Sequence, residues 1–370
     1  MINKTFSNAV IWLRVLMCSL VVFVHTAFIE TPAIWPQILH TTIKGVFSCL
    51  AVPFFFLVSG YFYFAKLENP FTWKFYKKQS IKRINSLLLP YILWCSLALC
   101  SVLVTAFIRY KIGEITYEEF NNYFNISYII HSFWNLEEGI TNVSILGTTN
   151  SFSYPLLIPL WFLRDLIIIS FLSPIIWYAI KTIDKFFILI ITGFYLCMFW
   201  QITGLSAQCI YFFSIGAYCS IKGIDISTLC NKFRWITLVI SIFIIILFTI
   251  TTNNNTYAYT FERSLLSIMS LITIIGWSKY VLINKSHIIS LSSSAFFIYC
   301  FHGMPIYKTS VINFTHKITT QILYPPSLDN IMPCILYFIE GLGNICICFI
   351  IYKILRSIFP RLCAQLCGNR

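Results

Sequence analysis

Runs of roughly twenty apolar residues recur from one end of this chain to the other, and each is long enough to cross a bilayer as a helix. Ten runs stand out: 10–29, 43–64, 87–108, 155–180, 186–203, 207–221, 235–251, 261–282, 288–307 and 331–355. A segment in hydrocarbon must satisfy its own backbone N–H and C=O groups, so runs of this length are expected to be helices. The expectation is an all-α, polytopic integral membrane protein with about ten transmembrane helices. Composition agrees: 58% of the 370 residues are hydrophobic and 11% are charged, against about 25% charged in a soluble protein. The apolar content is spread evenly, so residues 1–370 read as one membrane-embedded domain. The first run carries Arg14 and continues past Thr26 without a small-residue cleavage site, which reads as a retained anchor.

The net charge of +13 does not point to nucleic acid, because the bases sit at the ends of apolar runs and not on a soluble patch. Lys66, Lys74, Lys77, Lys78, Lys82 and Arg83 face only Glu68 in one connection. Segment 109–154 instead holds Glu114, Glu118, Glu119, Glu137 and Glu138 against Arg109 and Lys111. With the basic connections inside, both termini are expected to be cytoplasmic, and 109–154 becomes a long extracytoplasmic loop. Segment 65–85 mixes lysines with Phe71, Trp73, Phe75 and Tyr76, as a basic cytoplasmic interfacial segment would. The fourteen cysteines are scattered without zinc-site spacing, so no metal is expected.

Polar side chains inside the runs are costly and mark either packing or function. Arg14 and His25 are eleven residues apart. On a helix they share one face, within about 20°, and are separated by about 16 Å along the axis. Arg14, read as near the inner end of its span, either snorkels to the interface or forms an anion site for a phosphate-bearing substrate. Lys82 and Arg83 lie at the same expected level. His25 is either a helix–helix hydrogen bonder or a general base. Arg164 and Asp165 are adjacent and point about 100° apart, so partners on other helices are expected, with Glu340 and the pair Glu262-Arg263 as candidates. Such a group serves either a structural ion-pair network or a substrate cavity. His302 is expected level with His25, and Tyr299 shares its face. His40, His131, His287 and His316 read as solvated. Ser59-Gly60 reads as a close helix contact.

Several short motifs occur in a fixed order: Arg14-x10-His25, Phe54-Phe55-Phe56-Leu57-Val58-Ser59-Gly60-Tyr61, a basic run leading into Pro90-Tyr91, Leu160-Trp161-Phe162-Leu163, Phe212-Phe213-Ser214-Ile215-Gly216 and Phe297-Ile298-Tyr299-Cys300-Phe301-His302. In these the sequence resembles the membrane-bound acyltransferase type 3 family, which includes O-acyltransferases of bacterial surface polysaccharides and lipids. Many members carry Arg-x-x-Arg before the third span; here Arg83 holds the first position and Ser86 the second, with Lys82 as a substitute cation.

The resemblance implies an enzyme of the bacterial cytoplasmic membrane with no bound cofactor. Acyl-CoA, expected to be acetyl-CoA, would be the co-substrate, and the partner would be a glycan or lipid acceptor among membrane lipids. By the same resemblance, Arg14, Arg83 and Lys82 would anchor donor phosphates and His25 would be catalytic. His302 or Tyr299 would orient the acceptor or stabilise the oxyanion. Buried charges and broken helices also fit a transporter or flippase for a lipid-linked or acidic glycan, although no paired halves are visible.

Overall fold

A computed structural model describes residues 4–28, 33–67, 71–139, 141–250, 257–281, 285–322 and 331–369. Of the described residues, 81% are helical. The expected all-α class therefore holds, with two small hairpins as the only strands among the described residues. The helices in order are α1 (Lys4–His25), α2 (Ile34–Phe64), α3 (Trp73–Lys111), α4 (Tyr117–Asn122), α5 (Ile126–Trp134), α6 (Trp161–Phe171), α7 (Ser173–Thr182) and α8 (Lys185–Cys197). They continue with α9 (Ala207–Ile221), α10 (Ile226–Ile250), α11 (Tyr257–Trp277), α12 (Lys285–Phe301), α13 (Asn313–Ile322), α14 (Met332–Ile358) and α15 (Pro360–Leu366). Hairpin β1–β2 (Thr141–Val143, Thr149–Ser151) lies in the long loop, and β3–β4 (Gln201–Ile202, Leu205–Ser206) precedes α9.

Six of these helices are long and apolar enough to cross a membrane, or seven if the bent pair α6–α7 counts as one span. That is fewer than the ten expected runs. Three runs, 186–203, 207–221 and 288–307, give shorter apolar helices: Lys185–Cys197, Ala207–Ile221 and Leu291–Phe301. Helix α9 buries nine of its fifteen residues. Its apolar character therefore faces protein as much as lipid. Run 155–180 is broken by 59° between α6 and α7. Pro174, at the start of α7, has no N–H to give and keeps the preceding residue from continuing α6. The basic stretch Trp73–Arg83 is helical and runs through a π turn at Ile84–Leu88 straight into the span; Thr72 caps its start by accepting from the Phe75 N–H at 3.2 Å.

Lipid tails are as apolar as leucine, so helices in a membrane associate through close packing. The α2–α9 crossing does this with glycine on both sides. A Cβ on Gly60 would lie 2.1 Å from the Phe213 carbonyl oxygen, and one on Gly216 would lie 2.0 Å from that of Leu57. The Ser59-Gly60 contact expected from sequence is realised here. Helix α1 packs against α12, α2 and α14. One core cluster runs from Phe6 to Cys367.

Two latches set the ends of the bundle. At the end carrying the long loop, Arg164 donates through Nη1 to the carbonyls of Trp134 and Ser153 (3.1 Å to Ser153), and its guanidinium lies over the Trp134 and Phe152 rings. Its Nε and Nη2 reach Asp165 Oδ1, both at 3.2 Å, while Asp165 Oδ2 accepts from the Ser206 N–H at 3.0 Å. Arg164 and Asp165 thus pair with each other, against expectation. The long arginine stem folds back across the 100° between them, and loop carbonyls take the remaining donors. At the other end, α15 returns the chain to the start of the α3 span, where Trp94 Nε1 donates to the Leu366 carbonyl at 3.0 Å.

Candidate functional site

A cavity of about 240 Å³ opens where the last turn of α1 meets the start of α11 beneath the long loop. Its wall includes Val21, Val24 and His25 of α1, with Ser48 and Val52 of α2. Phe152, Tyr154 and Trp161 come from the loop and α6, Gln201 and Gln208 from β3 and α9, and Arg263 from α11. The Arg164–Asp165 latch carries Phe152, Tyr154 and Gln201 into this wall, because it ties both the loop and the β3–β4 hairpin to α6.

His25 occupies the final position of α1, where backbone carbonyls run out of helical partners. Those carbonyls are capped from outside. Thr26 Oγ1 donates to Val22 at 3.0 Å, the Thr26 N–H donates to Phe23 at 3.1 Å, and the Tyr337 hydroxyl also donates to Phe23. The turn holding His25 is therefore fixed, while its imidazole is exposed to the cavity. Behind it lies His302, with ring centroids 5.3 Å apart and planes inclined by 44°. His302 is 2% exposed. Its Nδ1 is 3.0 Å from the Ile298 carbonyl, so Nδ1 carries the proton. Nε2 is then an unprotonated acceptor, buried and without a partner among the described residues. Tyr299 lines the cavity, and its hydroxyl donates to the Pro159 carbonyl. Pro159 in turn presses on Gly303, where a Cβ would lie 2.7 Å from the proline ring.

Sequence reasoning brought His25, His302 and Tyr299 to one level, and the structure places them together. Neither His302 nor Tyr299 has a proton free for an oxyanion in this arrangement, since both are already donating to carbonyls. The free donors of the wall are elsewhere. The Gln208 amide has no hydrogen-bond partner among the described residues, and Arg263 reaches Ser48 Oγ at 3.3 Å and the Cys49 thiol, with Tyr154 and Tyr259 nearby. Arg263 was expected as a partner for the mid-span charges; it faces the cavity instead. Gln208 carried no sequence signal at all, being one amide at a helix start.

Glu340 is not in the Arg164 network either. It accepts from His316 Nδ1 at 3.1 Å and 3.3 Å, so His316, expected to be solvated, is hydrogen-bonded to a buried carboxylate.

The other end of the α1 stripe also differs from expectation. Helix α1 begins at Lys4, so Arg14 lies ten residues from one end and eleven from the other. Ten residues correspond to about 15 Å of helix, too far for simple snorkelling. No hydrogen bond or ion pair engages Arg14 among the described residues. Arg83 turns inward, donating through Nη2 to the Ser59 carbonyl at 3.3 Å with its guanidinium over the Tyr63 ring. Its Nε, with Ser80 Oγ and Trp177 Nε1, is buried without a partner among the described residues. Lys82 is exposed. Ser86, where the second arginine of the motif would stand, packs against the chain end: a Cβ on Gly368 would lie 2.4 Å from the Ser86 carbonyl oxygen. Among the described residues no group of three or more metal-ligating side chains occurs.

A helical membrane bundle with a paired histidine site at one end, and a guanidinium without an ion-pair partner among the described residues on the helix that carries His25, defines a class of multi-pass membrane enzyme. The chain matches the family profile described as acyltransferase domain over residues 7–353, and it belongs to that family, acyltransferase type 3. No curated protein and no solved structure matches it.

Proposed function

We propose that this membrane acyltransferase moves an acyl group, acetyl in the simplest case, from cytoplasmic acyl-CoA to a hydroxyl of a cell-surface or lipid-linked glycan. In this reading the protein sits in the bacterial cytoplasmic membrane with about ten crossings and both termini inside. The observation that carries the reading is the α1 stripe: a guanidinium at mid-helix with no hydrogen bond or ion pair among the described residues and, about 16 Å further on, an imidazole facing a cavity.

Arg14 and the inward-turned Arg83 supply positive charge for the phosphates of the donor. The thioester arm then runs along α1 towards His25. His25 takes the proton of the acceptor hydroxyl as its oxygen attacks the thioester carbonyl. The C–S bond breaks as the C–O bond forms, and the thiolate of CoA takes up the proton that His25 has held. Gln208 is the neutral donor available for the carbonyl oxygen during this step. His302 is a positioning residue: locked by Ile298, it backs the His25 ring and keeps it at the cavity wall.

Isolated membranes given acyl-labelled acetyl-CoA provide the test. Label is expected in a glycan or lipid fraction, and His25→Ala is expected to abolish transfer while the protein remains at wild-type level in the membrane. Full activity in His25→Ala would refute the mechanism. Glycan translocation without acyl label would replace it with transport.

A further inference from the structure

Arg263 is a cation in the His25 cavity that the transfer chemistry above leaves unused. Its Nη2 reaches Ser48 Oγ at 3.3 Å and the Cys49 thiol lies beside it. None of the ion pairs among the described residues includes it. Glu262 precedes it in sequence but is not within ion-pair distance. A guanidinium in the wall of a membrane-embedded chamber is costly unless a counter-charge meets it there. No carboxylate among the described residues pairs with it, which leaves the counter-charge to whatever enters.

The chamber narrows the identity of that anion. One guanidinium neutralises a monoanion; a phosphate monoester, close to dianionic at neutral pH, would leave net charge buried. A carboxylate also matches the planar fork of arginine with two parallel hydrogen bonds. Trp161, Tyr154 and Gln201 line the same cavity as Arg263, so aromatic and amide groups are at hand for a sugar. The cavity of about 240 Å³ has room for one ring or a short acyl chain. We infer that Arg263 receives a carboxylate carried by a substrate of the His25 cavity, either on the acceptor sugar or at the far end of the acyl group. This inference rests on the acyl-transfer reading only for where the carboxylate comes from; the site itself can be tested by binding.

The experiment uses the full chain purified in lipid nanodiscs and two matched pairs of probes. Glucuronate against glucuronamide mimics an acidic sugar, and monomethyl succinate against dimethyl succinate mimics an acidic acyl group. One acid is expected to bind at least about tenfold more tightly than its uncharged partner, the discrimination one charge-assisted contact provides. Arg263→Gln should remove that preference, and Arg263→Lys should keep part of it. The pair that shows the preference names the source of the carboxylate. Equal binding within both pairs in the wild type, absence of binding by all four probes, or a preference that survives Arg263→Gln would overturn the inference. The wild-type comparison does not depend on the variants folding. Labelled transfer in membranes is read separately. Carboxylate binding without any transfer removes the acyltransferase mechanism and leaves this site; transfer without carboxylate preference removes this site alone.

Discussion

Arg14 has no acceptor among the described residues, yet it sits at the midpoint of a membrane helix. An uncompensated charge there is expensive, and a phosphate-bearing ligand is the compensation the proposed reaction offers. Arg14→Ala is therefore expected to raise the KM for acyl-CoA by about tenfold or more, with a smaller effect on kcat, because the lost contact is made in the ground state as well as the transition state. Steady-state kinetics in membranes would check this; a fall in kcat at unchanged KM would place Arg14 elsewhere in the mechanism. His302 illustrates the opposite case. Its proton is committed to Ile298, so its contribution lies in holding its neighbour and not in donating to the substrate.

At the scale of elements, the cavity roof depends on the Arg164–Asp165 latch. Both side chains are almost wholly buried, at 2% and 0% exposure. Removing one partner leaves the other charged and unpaired, a change that typically costs about 3–5 kcal/mol. Arg164→Met should destabilise the protein by that order in detergent unfolding and should expose the 135–157 loop to limited proteolysis. Replacing both residues with apolar ones of similar volume should recover much of the stability but not the loop's protection, because the Trp134 and Ser153 carbonyls would still lack their donor. An Arg164→Met protein as stable and as protease-resistant as wild type would show that the hairpin and the helix caps hold the roof unaided.

For the whole molecule, the charge asymmetry between connections sets the proposed orientation. Cysteines introduced into a cysteine-free protein as Lys77→Cys and Leu146→Cys make this testable. Leu146→Cys should react with a membrane-impermeant maleimide in intact cells, and Lys77→Cys only after permeabilisation. The reverse pattern would invert the molecule and put His25 on the donor side.

Much of this organisation was legible in the chain itself. Apolar runs, loop charges and the Arg14–His25 spacing are local properties, set by hydropathy and the 3.6-residue helical period. They led to the all-α class, the shared face of α1 and the level at which His302 and Tyr299 meet His25. The family motifs added the kind of chemistry. The misses share one cause. Run lengths did not foretell which apolar segments form long helices and which form shorter ones such as α9, because an apolar segment reads the same whether lipid or protein covers it. Likewise, the partners of a charge are chosen by tertiary packing, over separations from 24 residues for His316–Glu340 to 215 for Arg263–Ser48, and no local pattern encodes them. The sequence alone therefore determined the helical membrane class and the shared face of Arg14 and His25 on α1. Only the tertiary structure decided that Arg164 closes on Asp165 and the loop, that Glu340 belongs to His316, and that Arg263 faces the His25 cavity. Each of these is a contact between side chains distant in sequence or folded back on themselves, and such contacts exist only once the helices have packed.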